Sequence, residues 1–362
     1  MTRIALRVMK WSAFMRVNPR QGVLFSAISA VKHLPRVRRA ALLYNPIAGQ
    51  RRSRRLADVE AAAAALRGGG VEALCVATHG PGTASGQALE LIAAGFDSIL
   101  ACGGDGTVHE VMQGMVAQRS QAALGMIPVG TGNALAADIG LPKHAVRAAR
   151  VLLAAEPRRI AVGRVEWASS PGRQAGSRYF IVTAGVGADA AMLDELALAV
   201  KERHGMAAYY WQALRLFFSY PMTPFVVDIE EPERRSLVVA QVLATRIANF
   251  GGLIRRVAPG ADLLRPELRL VLFTTPRRDA FLRHAFACAG GRERPVAGVE
   301  IVSARKIVCR QLAGSDRPHG KWPDTTRQLR AQADGELIGG LPVRMSVVPD
   351  ALTLLMPARQ AK

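Results

Sequence analysis

Acidic residues are scarce in this 362-residue chain. It has 28 Asp and Glu against 48 Lys and Arg, a formal net charge of +20. That excess fits anionic partners, among them phosphate-bearing ligands, nucleic acid and acidic membrane surfaces, without choosing among them. Only seven of the 48 are lysine, and an Arg-rich, Ala-rich composition also arises from genomic bias. Aromatics are 6% and no basic stretch is rich in them, so a stacking platform for nucleic acid is not expected. Cysteine is confined to Cys75, Cys102, Cys288 and Cys309, with no Cys-x-x-Cys pair. Neither a zinc site nor a disulfide framework follows, and a reducing cytoplasm is the default setting. Long apolar runs are missing too: the stretch 121–137 is broken by three glycines, Pro128 and Asn133, so no bilayer-spanning segment is expected. What remains is 50% hydrophobic and 21% charged, which suits a packed core of two or three domains.

The first 57 residues contain no acid, while basic residues such as Arg3, Arg7, Lys10 and Arg16 alternate with Ile4, Leu6, Val8, Trp11 and Phe14. Such a segment can lie on an anionic membrane. It also reads as a disordered extension, or as translated sequence upstream of the true start. A cleavable signal peptide is not expected, because charge interrupts the apolar region.

From residue 39 the pattern is regular. Short apolar runs at 39–45, 71–78, 98–102 and 123–128 alternate with helical stretches at 54–66 and 83–94 and with Val108, Val111, Met112 and Met115 at helical spacing. Strands alternating with helices imply a parallel, doubly wound sheet, with ligands at the carboxyl ends of its strands. Beyond residue 159 the runs at 160–165, 179–183, 225–229, 237–244, 268–273 and 299–302 are separated by turns, and only 192–218 and 279–289 look helical. This predicts a mostly antiparallel second domain.

Three loops fall at the expected sheet rim. Gly103-Gly104-Asp105-Gly106-Thr107 ends the third strand and opens a helix. Adjacent glycines let a bulky anion reach backbone N–H groups at a helix start. An acid inside a phosphate cradle makes sense if Asp105 meets Mg²⁺ or a substrate hydroxyl; it also reads as a helix cap. Gly130-Thr131-Gly132-Asn133 repeats the geometry on the next strand, and Asn45-Pro46-Ile47-Ala48-Gly49 adds a third loop. The spacing matches neither Gly-x-x-x-x-Gly-Lys-Ser/Thr nor Gly-x-Gly-x-x-Gly after the first strand. Near the end, Asp334-Gly335-Glu336 offers either a general base or metal ligand, or a plain hairpin turn.

In this order these pieces resemble the diacylglycerol kinase and sphingosine kinase family of lipid kinases, over about residues 40–357. The resemblance also rests on Thr78, Glu110-Val111, Gly185-Val186-Gly187-Ala188-Asp189, Asn249…Gly251-Gly252 and Ala258-Pro259-Gly260-Ala261. It implies an α/β fold: an N-terminal doubly wound, NAD-kinase-like nucleotide domain (39–158) and a C-terminal antiparallel β-sandwich taking the lipid (159–357). A basic extension (1–38) and a tail (358–362) flank them. It implies transfer of the γ-phosphoryl group of ATP to a lipid hydroxyl of diacylglycerol or a sphingoid base. ATP would be contacted by Asn45, Pro46, Gly49, Thr78, Gly103, Gly104, Asp105, Gly106, Thr107, Val108, His109, Gly130, Thr131, Gly132 and Asn133. Asp105 would work with nucleotide-bound Mg²⁺ or the attacking hydroxyl, and Glu336 would accept the proton. Asp189 could meet a sphingoid ammonium.

Three departures stand out. Ala134 replaces the Asp usual in bacterial diacylglycerol kinases, and residues 132–137 are closer to sphingosine kinases. Arg265-Pro266 replaces an Asp-Gly, so the structural Mg²⁺ site of some bacterial relatives is not expected. The basic extension lies outside the pattern. The expected setting is cytoplasmic, peripheral at the inner face of the membrane, with a homodimer left open. Two competing readings are a soluble NAD-kinase-like phosphotransferase and a catalytically decayed nucleotide- or lipid-binding regulator.

Overall fold

A computed structural model describes residues 37–46, 52–130, 132–169, 174–188, 222–251, 256–289, 295–313, 316, 322 and 329–358. The alternating first half forms β1 (Arg39–Tyr44), α1 (Arg52–Gly68), β2 (Glu72–Ala77), α2 (Ala84–Ala93), β3 (Ser98–Gly103), α3 (Asp105–Ala117), β4 (Ala123–Pro128), α4 (Ala134–Asp138) and α5 (Ala145–Leu153). β1 pairs in parallel with β2 and β3, and β3 with β4. Every residue of β3 and β4 is buried. A strand covered on both faces needs apolar side chains on both, hence runs without polar alternation. The covering helices pack as pairs, α1 with α5 and α2 with α3.

Register decides where the loops emerge. Tyr44 lies opposite Ala77 and Cys102, Cys102 opposite Ile127, and Gly103 opposite Pro128. The four carboxyl ends therefore form one rim, which carries Asn45, Thr78, Gly104 and Gly130.

The second half contains β5 (Glu156–Trp167), β6 (Gly176–Phe180), β7 (Thr183–Val186), β8 (Phe225–Glu231), β9 (Arg235–Val239), β10 (Gln241–Thr245), β11 (Leu268–Phe273), α6 (Arg278–Ala289), β12 (Val299–Ala304), β13 (Lys306–Arg310), β14 (Arg330–Ala333), β15 (Glu336–Gly340) and β16 (Val343–Met356). Six antiparallel strands, in the order β12-β11-β10-β7-β14-β15, make one sheet. The others extend the first sheet through β16. Its Thr353 and Leu354 pair with Ala123 and Leu124 of β4, while its residues 343–346 pair with β13. Between the sheets lie Val165, Phe180, Val186, Phe225, Leu270, Ile307 and Met345, the core of a β-sandwich. β5 runs through the expected boundary at residue 158 without a break.

Two expected strands are divided. The run 237–244 changes sheet at Ala240, giving β9 and β10, and Ala240 N–H bonds Phe273 O at 2.8 Å. The run 179–183 breaks at Ile181 and Val182, whose N–H groups go to Asp334 instead of a neighbouring strand. The helix expected over 192–218 and the extension 1–36 lie outside the described residues.

Among the described residues the bulkiest fully buried side chain is an arginine, Arg246. Its Nε and Nη2 donate to Ala161 O (3.2 and 3.0 Å), Nη2 also to Leu263 O (2.8 Å), and Nη1 to Glu267 O. Burial lowers its pKa to about 10, against the opposing pull of Asp262 and Glu267.

Candidate active site

Two glycine turns meet at the rim. A Cβ on Gly130 would lie 2.5 Å from Gly104 Cα and 2.6 Å from its nitrogen, and one on Gly103 would lie 2.1 Å from Thr107 Oγ1. The turns thus touch backbone to backbone, and neither position admits a side chain. Asn133 holds the second turn in left-handed conformation (φ 58°), its Nδ2 donating to Gly130 O at 2.8 Å. Two buried polar atoms at this rim, Asn133 Oδ1 and Thr78 Oγ1, have no hydrogen-bond partner among the described residues. Buried polar atoms are seldom left so, and such exceptions point to a ligand or ordered solvent. These residues therefore fit a nucleotide.

Asp105 begins α3 beside Gly104. Its Oδ2 accepts from Ala134 N–H (2.8 Å) and Oδ1 from Leu135 N–H (3.1 Å), so it ties the second glycine turn and α4 to the first. Burial raises its pKa. The two N–H groups oppose that rise, and the nearby charge of Asp334 adds to it. One turn along α3, Glu110 accepts from Ala84 N–H at 2.8 Å and fixes the start of α2.

The third part arrives from the far end of the chain. Asp334 (φ 46°) and Gly335 (φ 87°) form the tight turn between β14 and β15. Such a turn needs left-handed backbone, which Asp-Gly supplies. Asp334 Oδ2 accepts from Ile181 N–H (2.8 Å), and Oδ1 from Val182 and Thr183 N–H (2.9 Å each). Its Oδ2 also lies 3.0 Å from His109 Nδ1 on α3. Both side chains are wholly buried. Glu336 is 48% exposed, with Oε2 3.8 Å from His109 Nε2, and it pairs with Arg178. Gln113, one turn beyond His109, bonds both backbone groups of Tyr179 at 2.8 and 3.0 Å. The helix carrying Asp105 is thereby docked onto the strands that carry Arg178 and Glu336.

Asp105, the glycine turns, Thr78 and Asn133 gather at one rim, and Glu336 meets α3 at His109, one helical turn from Asp105. Val108 and His109 do not present side chains there: both are fully buried, Val108 in the α/β core and His109 against Asp334. Neither side chain therefore lines the rim. Gly49, Thr131 and Asp189 lie outside the described residues. Nothing in the sequence singles out Gln113 or Arg178, whereas Asp334 stands out in the Asp334-Gly335-Glu336 turn as a candidate general base or metal ligand; here it accepts backbone N–H groups.

Among the described residues no three His, Cys, Asp or Glu side chains form a metal-binding group. Around Arg265-Pro266 the residues do not fit a structural divalent cation. The flanking carbonyls of Leu263 and Glu267 are taken by the Arg246 guanidinium, and Arg265 itself faces Glu267 at 3.9 Å.

Comparison with known proteins agrees with this architecture. Residues 39–165 match the diacylglycerol kinase catalytic domain, and residues 181–356 match the YegS C-terminal NAD kinase beta sandwich-like domain. Diacylglycerol kinase of Bacillus subtilis (strain 168) is 25% identical over 328 residues, covering 90% of this chain and 99% of that protein. The Chromohalobacter salexigens protein named "Probable lipid kinase YegS-like" is 31% identical over 223 residues, 61% of this chain and 68% of its own length. The crystal structure of a diacylglycerol kinase from Bacillus anthracis str. Sterne superposes with a TM-score of 0.62 at 17% identity, covering 89% of this chain and 97% of the other. The two matched domains, together with these relatives, place the chain among lipid kinases. The chain belongs to the diacylglycerol kinase family of lipid kinases. No helix among the described residues is long and apolar enough to cross a membrane.

Proposed function

We propose that the protein transfers the γ-phosphoryl group of ATP to the hydroxyl of diacylglycerol at a membrane surface. The observation that carries this reading is the attachment of the Asp334–Glu336 turn to α3, the helix that opens at the Gly103-Gly104 turn. Phosphate cradle and proton acceptor then share one rigid element. Phosphoryl transfer asks mainly for positioning and charge neutralisation, and this arrangement supplies the positioning. In this reading Gly104 and Gly130 leave bare backbone for the phosphates. The Thr78 hydroxyl donates to a phosphate oxygen, and Asn133 Oδ1 accepts from a ribose hydroxyl or the adenine amine. Asn45, Gly49 and Thr131 complete the contacts. Mg²⁺ bound to the nucleotide would neutralise phosphate charge, with the Asp105 carboxylate as its protein neighbour. Glu336 takes the proton of the attacking hydroxyl, oriented by Arg178.

The names of the relatives support diacylglycerol as acceptor, and the net charge of +20 suits an anionic surface. The test is transfer of radiolabelled phosphate from ATP to vesicles containing diacylglycerol, with a sphingoid base and NAD in parallel. Labelled phosphatidic acid is the expected product. Labelling of the sphingoid base alone would move the acceptor, and labelling of NAD alone would overturn the lipid reading. Asp105→Asn and Glu336→Gln should each lower kcat by about 100-fold or more while the fold persists; full activity in either rejects its role.

A further inference from the structure

The His109 side chain lines neither the glycine turns nor the exposed acceptor side, yet its ring is held at both edges. Asp334 already accepts three backbone N–H bonds, and a carboxylate offers about four acceptor positions. The fourth falls to His109 Nδ1, which must therefore carry the hydrogen. Gln113 steadies the other edge, its Nε2 3.4 Å from His109 Nε2 and 3.3 Å from His109 O. Gln113 is itself fixed by Tyr179. His109 Nε2 then faces Glu336 Oε2.

We infer that His109 is a positioning residue for the phosphotransfer. Through Asp334 it sets the turn that carries Glu336 at a fixed place relative to Asp105, one helical turn away on α3. The inference rests on the proposed lipid-kinase chemistry for its kinetic consequence but not for its structural one. A misplacement of about 1 Å in a reacting group can slow a reaction about 100-fold, so loss of this tether acts on the chemical step. It leaves ATP binding alone, because His109 does not reach the glycine turns.

The experiment compares His109→Leu and His109→Asn in the full chain. Asn places an amide nitrogen where Nδ1 stood and keeps the bond to Asp334; Leu fills the space without it. His109→Leu should lower kcat about 100-fold with the KM for ATP within about two-fold, and His109→Asn should recover most of that loss. In a Glu336→Gln background His109→Leu should add little, since residues acting through one another are not additive. An unchanged kcat, a raised KM for ATP instead, or additive losses would each overturn the inference. Hydrogen exchange gives a readout independent of activity: the N–H groups of Ile181, Val182 and Thr183 should lose protection in His109→Leu and keep it in His109→Asn. Unchanged protection in His109→Leu refutes the tether whatever the substrate. A wild-type chain that labels no lipid defeats only the proposed function.

Discussion

Replacing Arg246 by methionine would remove a wholly buried cation and leave its volume nearly filled. Two backbone carbonyls, those of Ala161 and Glu267, lose their donor, while Leu263 O keeps the Ala161 N–H at 3.1 Å. Each buried carbonyl left unpaired costs about 1–3 kcal/mol, so the two together lose about 2–6 kcal/mol. Against this, burying the guanidinium is itself unfavourable. The fall from the usual arginine value to about 10 corresponds to about 3 kcal/mol at 1.36 kcal/mol per pH unit, and methionine does not carry that penalty. The net loss is about 1 kcal/mol, which lowers the Tm of a 362-residue chain by about 1 °C. Circular dichroism on the full chain at neutral pH measures it, with Arg246→Lys expected between the two. Chelation should leave the wild-type Tm unchanged, because a tethered cation already serves these carbonyls. The sign of any pH effect follows from the lowered value. The folded state releases this proton before the unfolded one, so the term is flat from pH 6 to 8 and favours folding only as pH climbs through about 10. If Arg246→Met equals or exceeds wild-type stability, burial of the charge outweighs its hydrogen bonds and the reasoning fails.

Gly130→Ala would drive a methyl group into Gly104 backbone at 2.5 Å, so the two turns must part. A stability loss of about 1–3 kcal/mol is expected, with a raised KM for ATP; unchanged kinetics would detach these turns from the nucleotide. Asp334→Asn sets an amide NH₂ against Ile181 N–H or His109 Nδ1–H, and denaturant unfolding should show a loss of about 2–4 kcal/mol. A near-wild-type midpoint would mean the turn is held by other contacts. Burial raises the Asp105 carboxyl, so its ionised form is the disfavoured one. Its favourable contribution is complete below the unfolded value of 3.8 and is lost as pH rises through the folded value. Urea midpoints at pH 4 and pH 7 should therefore show Asp105→Asn gaining relative to wild type at the higher pH, and a shift in the opposite direction would contradict that sign.

The strand ends and turn chemistry were readable residue by residue. β4 runs over the predicted 123–128, and Asp334-Gly335 carries the two left-handed residues that a tight hairpin demands. Each rests on interactions within a few neighbours: backbone conformation, side-chain periodicity, and the conformational freedom of glycine. The resemblance supplied the pairing of Glu336 with Asp105, which no periodicity contains. His109 sits on the same apolar stripe as Val108, Val111 and Met112. The helical spacing could say that it faces inward but not that a carboxylate 225 residues away would meet it. Arg246 follows a strand-like run and reads as a surface residue, because nothing local announces three carbonyls gathered from distant segments.

By itself, the sequence determined the alternation of strands and helices, the rim at which the glycine turns emerge, and the class of ligand such turns suit. Tertiary structure alone decided that 237–244 changes sheets, that β16 carries the first sheet into the second half, and that the His109 ring meets Asp334. The division has a physical cause. Backbone preferences and hydrophobic period act over one or two turns of chain, whereas the partner of a buried polar group is chosen by which distant segments pack against it. A charge taken out of water then accepts only an arrangement that satisfies every hydrogen bond it has lost.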